Sequence, residues 1–349
     1  MLADERMRSI RWRPRGVAGR ICGVGLLTAL AVSSASGDRP PGSTGSRTFA
    51  FDYGAALGGL AAGAEIRVWL PVPQTTEHQR VSELDRRLPA PATVGVETKY
   101  GNRMLFFQLP APADGRVEFS TRYLVRRREV RGLRPPQAKV PLTVAQRRVF
   151  LAANQRVPVN GEKVDRLVAD IATSKDPLET ARALYDRVDA HVRYDKSQPG
   201  YGNGDVLWVC DSRFGNCTDF HSLFISLARN RGVPARFEIG FPLPAQRGAG
   251  KIGGYHCWAL FHTKQRGWVP VDISEADKNP LKRDYFFGNL TEDRVSFTTG
   301  RDITLVPKQS GPPLNYFVYP YVEVDGRPLA NKQIQLAFSY ADEASADAR

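Results

Sequence analysis

Between Arg47 and about Glu129 apolar residues recur with a period near two; from Val144 onward the period becomes that of a helix. That switch constrains the fold more than any other feature, because one pattern cannot serve both kinds of element. The first stretch breaks into runs at 48–53, 64–70, 94–100, 104–109 and 117–125, with turn signals such as Gly101-Asn102 and Asp114-Gly115 between them. Short alternating runs with turn chemistry predict an antiparallel sandwich. The second stretch predicts helices over 144–156 and 163–173. A third helix is expected from Asp176-Pro177-Leu178-Glu179, where a capping acid, a proline at the first helical position and a capping-box glutamate coincide. Leu178, Ala181, Leu184, Val188 and Val192 then share one face. Strands first and helices afterwards make an α+β chain.

Residues 195–216 are expected to form a long loop containing Gly200, Gly202, Gly204 and Gly215. Loops of that length inside a domain are usually functional. The Gly-x-Gly-x-Gly run is not a dinucleotide fingerprint, since no strand precedes it and no helix opens on it. The chemistry follows directly. Phe220, Leu223, Phe224, Leu227 and Ala228 repeat at helical spacing until Gly232-Val233-Pro234 ends the pattern, which puts Cys217 at a helix N-terminus. Free amides and the helix dipole favour a thiolate there; a small buried hydrophobe is the alternative for such a cysteine. The alternation over 255–262, a turn over 263–267 and a second run over 268–273 predict a hairpin centred near Lys264, with His256 opposite Asp272 on one face. A carboxylate beside an imidazole fixes its tautomer and stabilises its cation, so Cys217, His256 and Asp272 make a thiol-nucleophile triad.

Gly-Asn-Cys-Thr-Asp-Phe-His-Ser-Leu-Phe (215–224), Gly-Val-Pro-Ala-Arg (232–236), Tyr-His-Cys-Trp-Ala (255–259) and Gly-Trp-Val-Pro-Val-Asp (267–272) closely resemble the transglutaminase-like superfamily, in particular its bacterial exported members, over about residues 140–310. The resemblance implies a papain-like core, a cysteine-bearing helix packed on an antiparallel sheet, preceded by a small all-β domain. It implies Cys217 as nucleophile, His256 as general base and acid, and Asp272 as the group that orients His256. Trp258 matches the aromatic residue that packs beside the site in the family. Family activities include protein cross-linking and peptide or amide hydrolysis, so the resemblance fixes machinery rather than substrate.

Other residues complete the expectation. The Cys217 amide is a natural oxyanion donor. Tyr194, Gln198, Trp208 and Trp258 are the candidates for a second donor or a substrate contact, with no sequence basis for choosing among them. His221 is expected as a hydrogen-bonding core residue, and Asp219 as a cap or an arginine partner. Cys210 and Cys257 are read either as a disulfide bracing the loop against the histidine strand or as two buried thiols. Cys210, Cys217, His256 and Cys257 lack any recognised metal spacing, and no cofactor is implied.

The +13 formal charge invites a nucleic-acid hypothesis, but residues 1–37 contribute six arginines against two acids. Those residues have the pattern of a general secretory signal: Arg8, Arg11, Arg13, Arg15 and Arg20, a short apolar run from Ile21, and Ala35-Ser36-Gly37 as a cleavage site. An N-terminal anchor is the alternative. The expected location is periplasmic or secreted, with no stable transmembrane segment after cleavage. The boundaries expected are 1–37 signal, 38–46 linker, 47–135 β-sandwich, 136–310 catalytic core, 311–341 C-terminal β segment and 342–349 fraying tail. The Arg126–Arg134 stretch is expected as a solvated edge or linker, with further strands over 285–289 and 295–305. Aromatic residues crowd 315–324, which suits core packing, a stacking surface being the alternative. The partner expected is a protein or peptide substrate, including cell-envelope peptide, and no nucleic acid. Hydrolysis is preferred to transamidation; a non-catalytic envelope-binding module is the competing class.

Overall fold

A computed structural model describes residues 44–134 and 141–343. The expected signal, most of the expected linker, Pro135-Pro136 and the tail beyond residue 343 lie outside the described residues.

The period-two stretch forms β1 (Ser46–Leu57), β2 (Glu65–Val72), β3 (Gln79–Arg87), β4 (Thr93–Val96), β5 (Arg103–Pro110) and β6 (Val117–Arg128), with a two-residue β7 (Val130–Arg131) behind them. Strand β3 carries no sequence signal, because only Gln79 in it is buried and Val81 half-buried, the rest being exposed. The expected Arg-rich linker is corrected: Arg126, Arg127 and Arg128 close β6, with Arg127 turned inward and its neighbours outward.

The helical stretch gives α1 (Val144–Leu151), α2 (Glu162–Val168) and α3 (Pro177–His191). Asp176 caps α3 by accepting from the Leu178 amide at 2.9 Å, while Glu179 takes the Ser174 hydroxyl instead of closing a box. The expected loop follows β8 (Arg193–Tyr194), contains the short helix α4 (Val206–Ser212) and β9 (Phe214–Gly215), and ends where α5 (Cys217–Asn230) begins. Strands β8 and β9 pair in parallel, so the glycine-rich stretch between them is closed at its base.

Next come β10 (Ala235–Pro242), β11 (Ala249–Ile252), β12 (His256–Thr263), β13 (Gly267–Val271), α6 (Ile273–Lys278), α7 (Arg283–Phe286), β14 (Asn289–Leu290) and β15 (Arg294–Thr299). The strand expected over 285–289 is helix α7 at Tyr285 and Phe286, while Phe287 bridges Val271 and Asn289 opens β14. Strands β16 (Tyr321–Val324), β17 (Arg327–Pro328) and β18 (Ile334–Asp342) follow.

Three antiparallel sheets organise these elements, in the orders β11-β18-β1-β6-β3, β17-β16-β2-β5-β4 and β13-β12-β10-β15. The first two form the sandwich and draw strands from both ends of the described chain, with β11 added from its middle. Phe49, Phe51 and Tyr53 of β1 and Phe107 of β5 are buried in it. On the third sheet Cys257, Ala259 and Phe261 face α5, whose Phe220, Leu223, Phe224 and Leu227 are fully buried. Each such side chain contributes roughly 1.5–3 kcal/mol relative to an exposed one. An aromatic seam joins the layers: Phe241 lies 5.1 Å from Phe51 and 4.4 Å from Phe338, ring centre to ring centre. The fold is α+β, with helix α5 held against an antiparallel sheet beside a β-sandwich. Asp342 does not fray; it ends β18 and pairs at 2.7 Å with the buried Arg47.

Candidate active site

Helix α5 starts on Asn216, whose side chain accepts from the Thr218 amide at 2.8 Å. Asp219 closes a capping box by accepting from the Asn216 amide at 2.9 Å. The same carboxylate accepts from the Gly202 amide at 2.6 Å and the Gly204 amide at 2.9 Å. One acid therefore caps the helix and pins the glycine stretch over its first turn. Gly215 has to be glycine here, since a Cβ would come within 2.4 Å of the Asp219 carboxylate. The result is a fixed position for Cys217, the first residue of α5, 3 % exposed.

The β12–β13 hairpin delivers the other two groups. Its register pairs Ala259 with Val271 and Thr263 with Gly267, two positions away from the one expected. His256 is therefore not directly opposite Asp272. The contact is diagonal, and it forms because Asp272 leaves the strand to cap α6, its backbone bent at ψ 77°. Both side chains keep the same face, and His256 Nε2 lies 2.8 Å from Asp272 Oδ2. The hydroxyl of Ser274 and the amide of Glu275 donate to Oδ1 of the same carboxylate.

The electrostatics follow from these contacts. Burial opposes charge on Asp272, but His256 and the guanidinium of Arg294 outweigh it and hold the carboxyl far below the usual range. Burial would likewise neutralise His256; the Asp272 carboxylate and the Cys217 sulfur instead push it up to about 10. For Cys217, burial raises the thiol, and side-chain contacts from Cys257 and His256 together with the imidazolium charge overcome it. The net places the thiol well below its ordinary value. The arrangement stores a thiolate beside an imidazolium.

Two further groups complete the site, Arg294 with no signal in the sequence and Cys257 in a different role from those expected of it. Arg294, buried at the start of β15, donates from Nη1 to Asp272 Oδ2 at 3.0 Å and stacks on the Trp258 ring at 4.8 Å. Cys257 faces the first turn of α5, with its sulfur 3.8 Å from Thr218 Oγ1 and 3.8 Å from His221 Nδ1. His221 is a buried structural residue whose Nε2 accepts from the Ile273 amide at 3.0 Å. Burial lowers it to about 4, so it stays neutral.

Of the two readings of Cys210 and Cys257, the structure has free thiols in place of a disulfide, Cys257 buried and Cys210 half-buried, with Cys217 free as well. Cys210 sits on α4 beside the Lys163–Asp211 pair, and burial pushes its thiol up to about 11. Cys257 instead belongs to the surroundings of Cys217.

Cys217 and His256 open onto a cleft of about 840 Å³. Of the four candidates for a second donor, Tyr194 borders that cleft. Trp208 packs on Phe214 with a ring-centre distance of 5.2 Å, and Gln198 is exposed on the loop outside the cleft wall. Trp258 is fully buried and its indole N–H donates to Glu238 Oε2 at 3.0 Å, so it packs beside His256 with its donor already used. Tyr316 and Tyr319 from the aromatic stretch also line the cleft, as do Tyr201 and Tyr255. That stretch therefore forms cleft wall as well as core.

Residues 165–273 match the transglutaminase-like superfamily, a span that includes Cys217, His256 and Asp272. An uncharacterised protein of Haemophilus influenzae is 28% identical over 309 residues, covering 76% of this chain and 82% of that one. Among solved structures, a candidate cysteine protease from Cytophaga hutchinsonii is 15% identical with a TM-score of 0.51, covering 86% of this chain and 100% of its own. The periplasmic domain of TgpA from Pseudomonas aeruginosa, bound to ethylmercury, is 16% identical with a TM-score of 0.34, over 68% of this chain and 92% of that one.

Proposed function

We propose, on the premise that residues 165–273 form a transglutaminase-like core, that this chain is a thiol-dependent hydrolase of amide or peptide bonds. The observation that carries the proposal is the placement of Cys217 at the start of α5, beside His256, with Asp272 2.8 Å from the far nitrogen of that ring. The Cys217 thiolate attacks the carbonyl carbon, forming a C–S bond and moving the carbonyl π electrons onto oxygen. The Cys217 amide, at the positive end of the helix, donates to that oxyanion. The intermediate collapses as the C–N bond breaks and His256 gives its proton to the departing amine. His256, now neutral, takes a proton from water, whose oxygen attacks the thioester; the acid departs and the thiolate returns. Asp272 holds the ring and balances its charge throughout.

The proposed place of action is outside the cytoplasm. Support for it comes from the Arg-rich start, short apolar run and small-residue cleavage site of residues 1–37. Fractionation with N-terminal sequencing of the mature chain checks this; a product that keeps residue 1 in the cytoplasm overturns it.

Incubation of wild type and Cys217→Ala with envelope peptides, followed by mass spectrometry, tests the chemistry. New carboxyl and amine termini are expected with wild type alone. Identical products from both proteins refute it, and incorporation of an added primary amine in place of water would make the chain a transamidase.

A further inference from the structure

The charged side chains of the cleft wall are Lys196, Lys251, Lys278 and Glu275. Glu275 is already matched: its carboxylate lies 2.6 Å from the Lys278 ammonium, which also sits 4.0 Å from the centre of the Tyr194 ring. The thiolate and imidazolium at the base of the cleft cancel each other. Lys196, from the segment after β8, and Lys251, from β11, are both exposed, and among the described residues neither has a carboxylate partner. Two positive charges from separate elements thus stand uncompensated at a site open to peptide. A cleft of one sign concentrates ligands of the other and repels like charge.

From this juxtaposition we infer that the substrate is an acidic peptide, with carboxylate side chains on either side of the attacked amide received by Lys196 and Lys251. The inference rests on the hydrolase reading and names the substrate class for it. Exposed ion pairs are individually modest, about 0.2–1 kcal/mol each. Two of them acting together correspond to a preference of roughly two- to thirtyfold.

The test separates binding from turnover. Three fluorescein-labelled peptides, identical except for Glu, Gln or Lys at the flanking positions, are titrated against Cys217→Ala and followed by anisotropy at low and high salt. The glutamate peptide should bind roughly two- to thirtyfold more tightly than the glutamine peptide, and the lysine peptide most weakly. The gap should close at about 0.5 M salt, where the Debye length falls below the span of the cleft charges. Adding Lys196→Glu and Lys251→Glu together should reverse the order. Equal affinities, no measurable binding of the glutamate peptide, or an order that survives charge reversal would overturn the inference. Wild type is then given the same peptides. Binding in the expected order without cleavage sustains the acidic preference and rejects hydrolysis.

Discussion

At the scale of single residues, the site is a problem of protonation. His256 is held charged up to about pH 10, and Cys217 is held ionised by His256 and Cys257. Iodoacetamide should therefore alkylate wild-type Cys217 at a rate nearly constant from pH 7 to pH 9. In Asp272→Asn the histidine loses the carboxylate that raises it, and the thiol climbs back toward its free value of about 8.5. Alkylation at pH 7 should then slow by about tenfold or more and recover on the alkaline side. A rate unchanged at pH 7 would show that Asp272 does not act through His256. Cys257→Ala removes another support of the thiolate and should move the alkylation profile in the same direction. The alkaline limb of kcat/KM in wild type should fall through about pH 10, as His256 gives up its proton.

At the scale of elements, much of the site could be read from local pattern. Helix α5 announces itself by its apolar spacing and its capping residues, and so does the position of Cys217. The shared face of His256 and Asp272 follows from alternation alone, since a two-residue register error leaves faces unchanged. The register itself was misread because the turn is Lys264-Gln265-Arg266, one residue beyond its expected centre. What stayed illegible is non-local. Arg294 reaches Asp272 from a strand paired with β10, and β11 reaches the cleft through its pairing with β18, neither marked by any local period. Strand β3 is invisible for the opposite reason, exposed along nearly its whole length and charged at Arg80, Glu83, Asp85, Arg86 and Arg87. The glycine stretch offers the test at this scale. Gly204 has φ +56°, and a Cβ there would lie 2.3 Å from Ser222 Oγ and 2.7 Å from Arg301 Nη1. Gly204→Ala should cost more than about 1 kcal/mol in urea unfolding. It should also lower kcat/KM, because Gly202 and Asn203 are cleft wall. Wild-type stability in that variant would mean the stretch is not pinned by Asp219.

For the molecule as a whole, the ion pair leaves a signature in stability against pH. His256 is raised on folding, so its contribution is complete below its unfolded value of about 6.5 and declines as pH rises toward about 10. Cys217 is lowered on folding, so its contribution is complete above about 8.5 and declines as pH falls toward its native value. Above that native value, and between about pH 6.5 and 8.5, the two slopes are opposite and cancel. The urea midpoint of wild type should therefore be level across that window. In Cys217→Ala only the histidine slope remains, Asp272 still holding the ring above its unfolded value, and stability should fall by up to about 1.4 kcal/mol per pH unit. Parallel curves for the two proteins would mean that no proton is exchanged between the groups on folding.

Strand β18 lies between β1 and β11, and β11 supplies Lys251 and Ile252 to the cleft. Ribosomes deliver chains from the N-terminus, so Cys217, His256 and Asp272 are all made before the strand that holds β11 in place. Until Ile334–Asp342 arrives, β1 has lost one neighbour and β11 has none. A half-made chain would own a nucleophile but only part of the wall that guides a peptide to it. On the hydrolase reading, the sulfur of Cys217 thus gains its full binding cleft last.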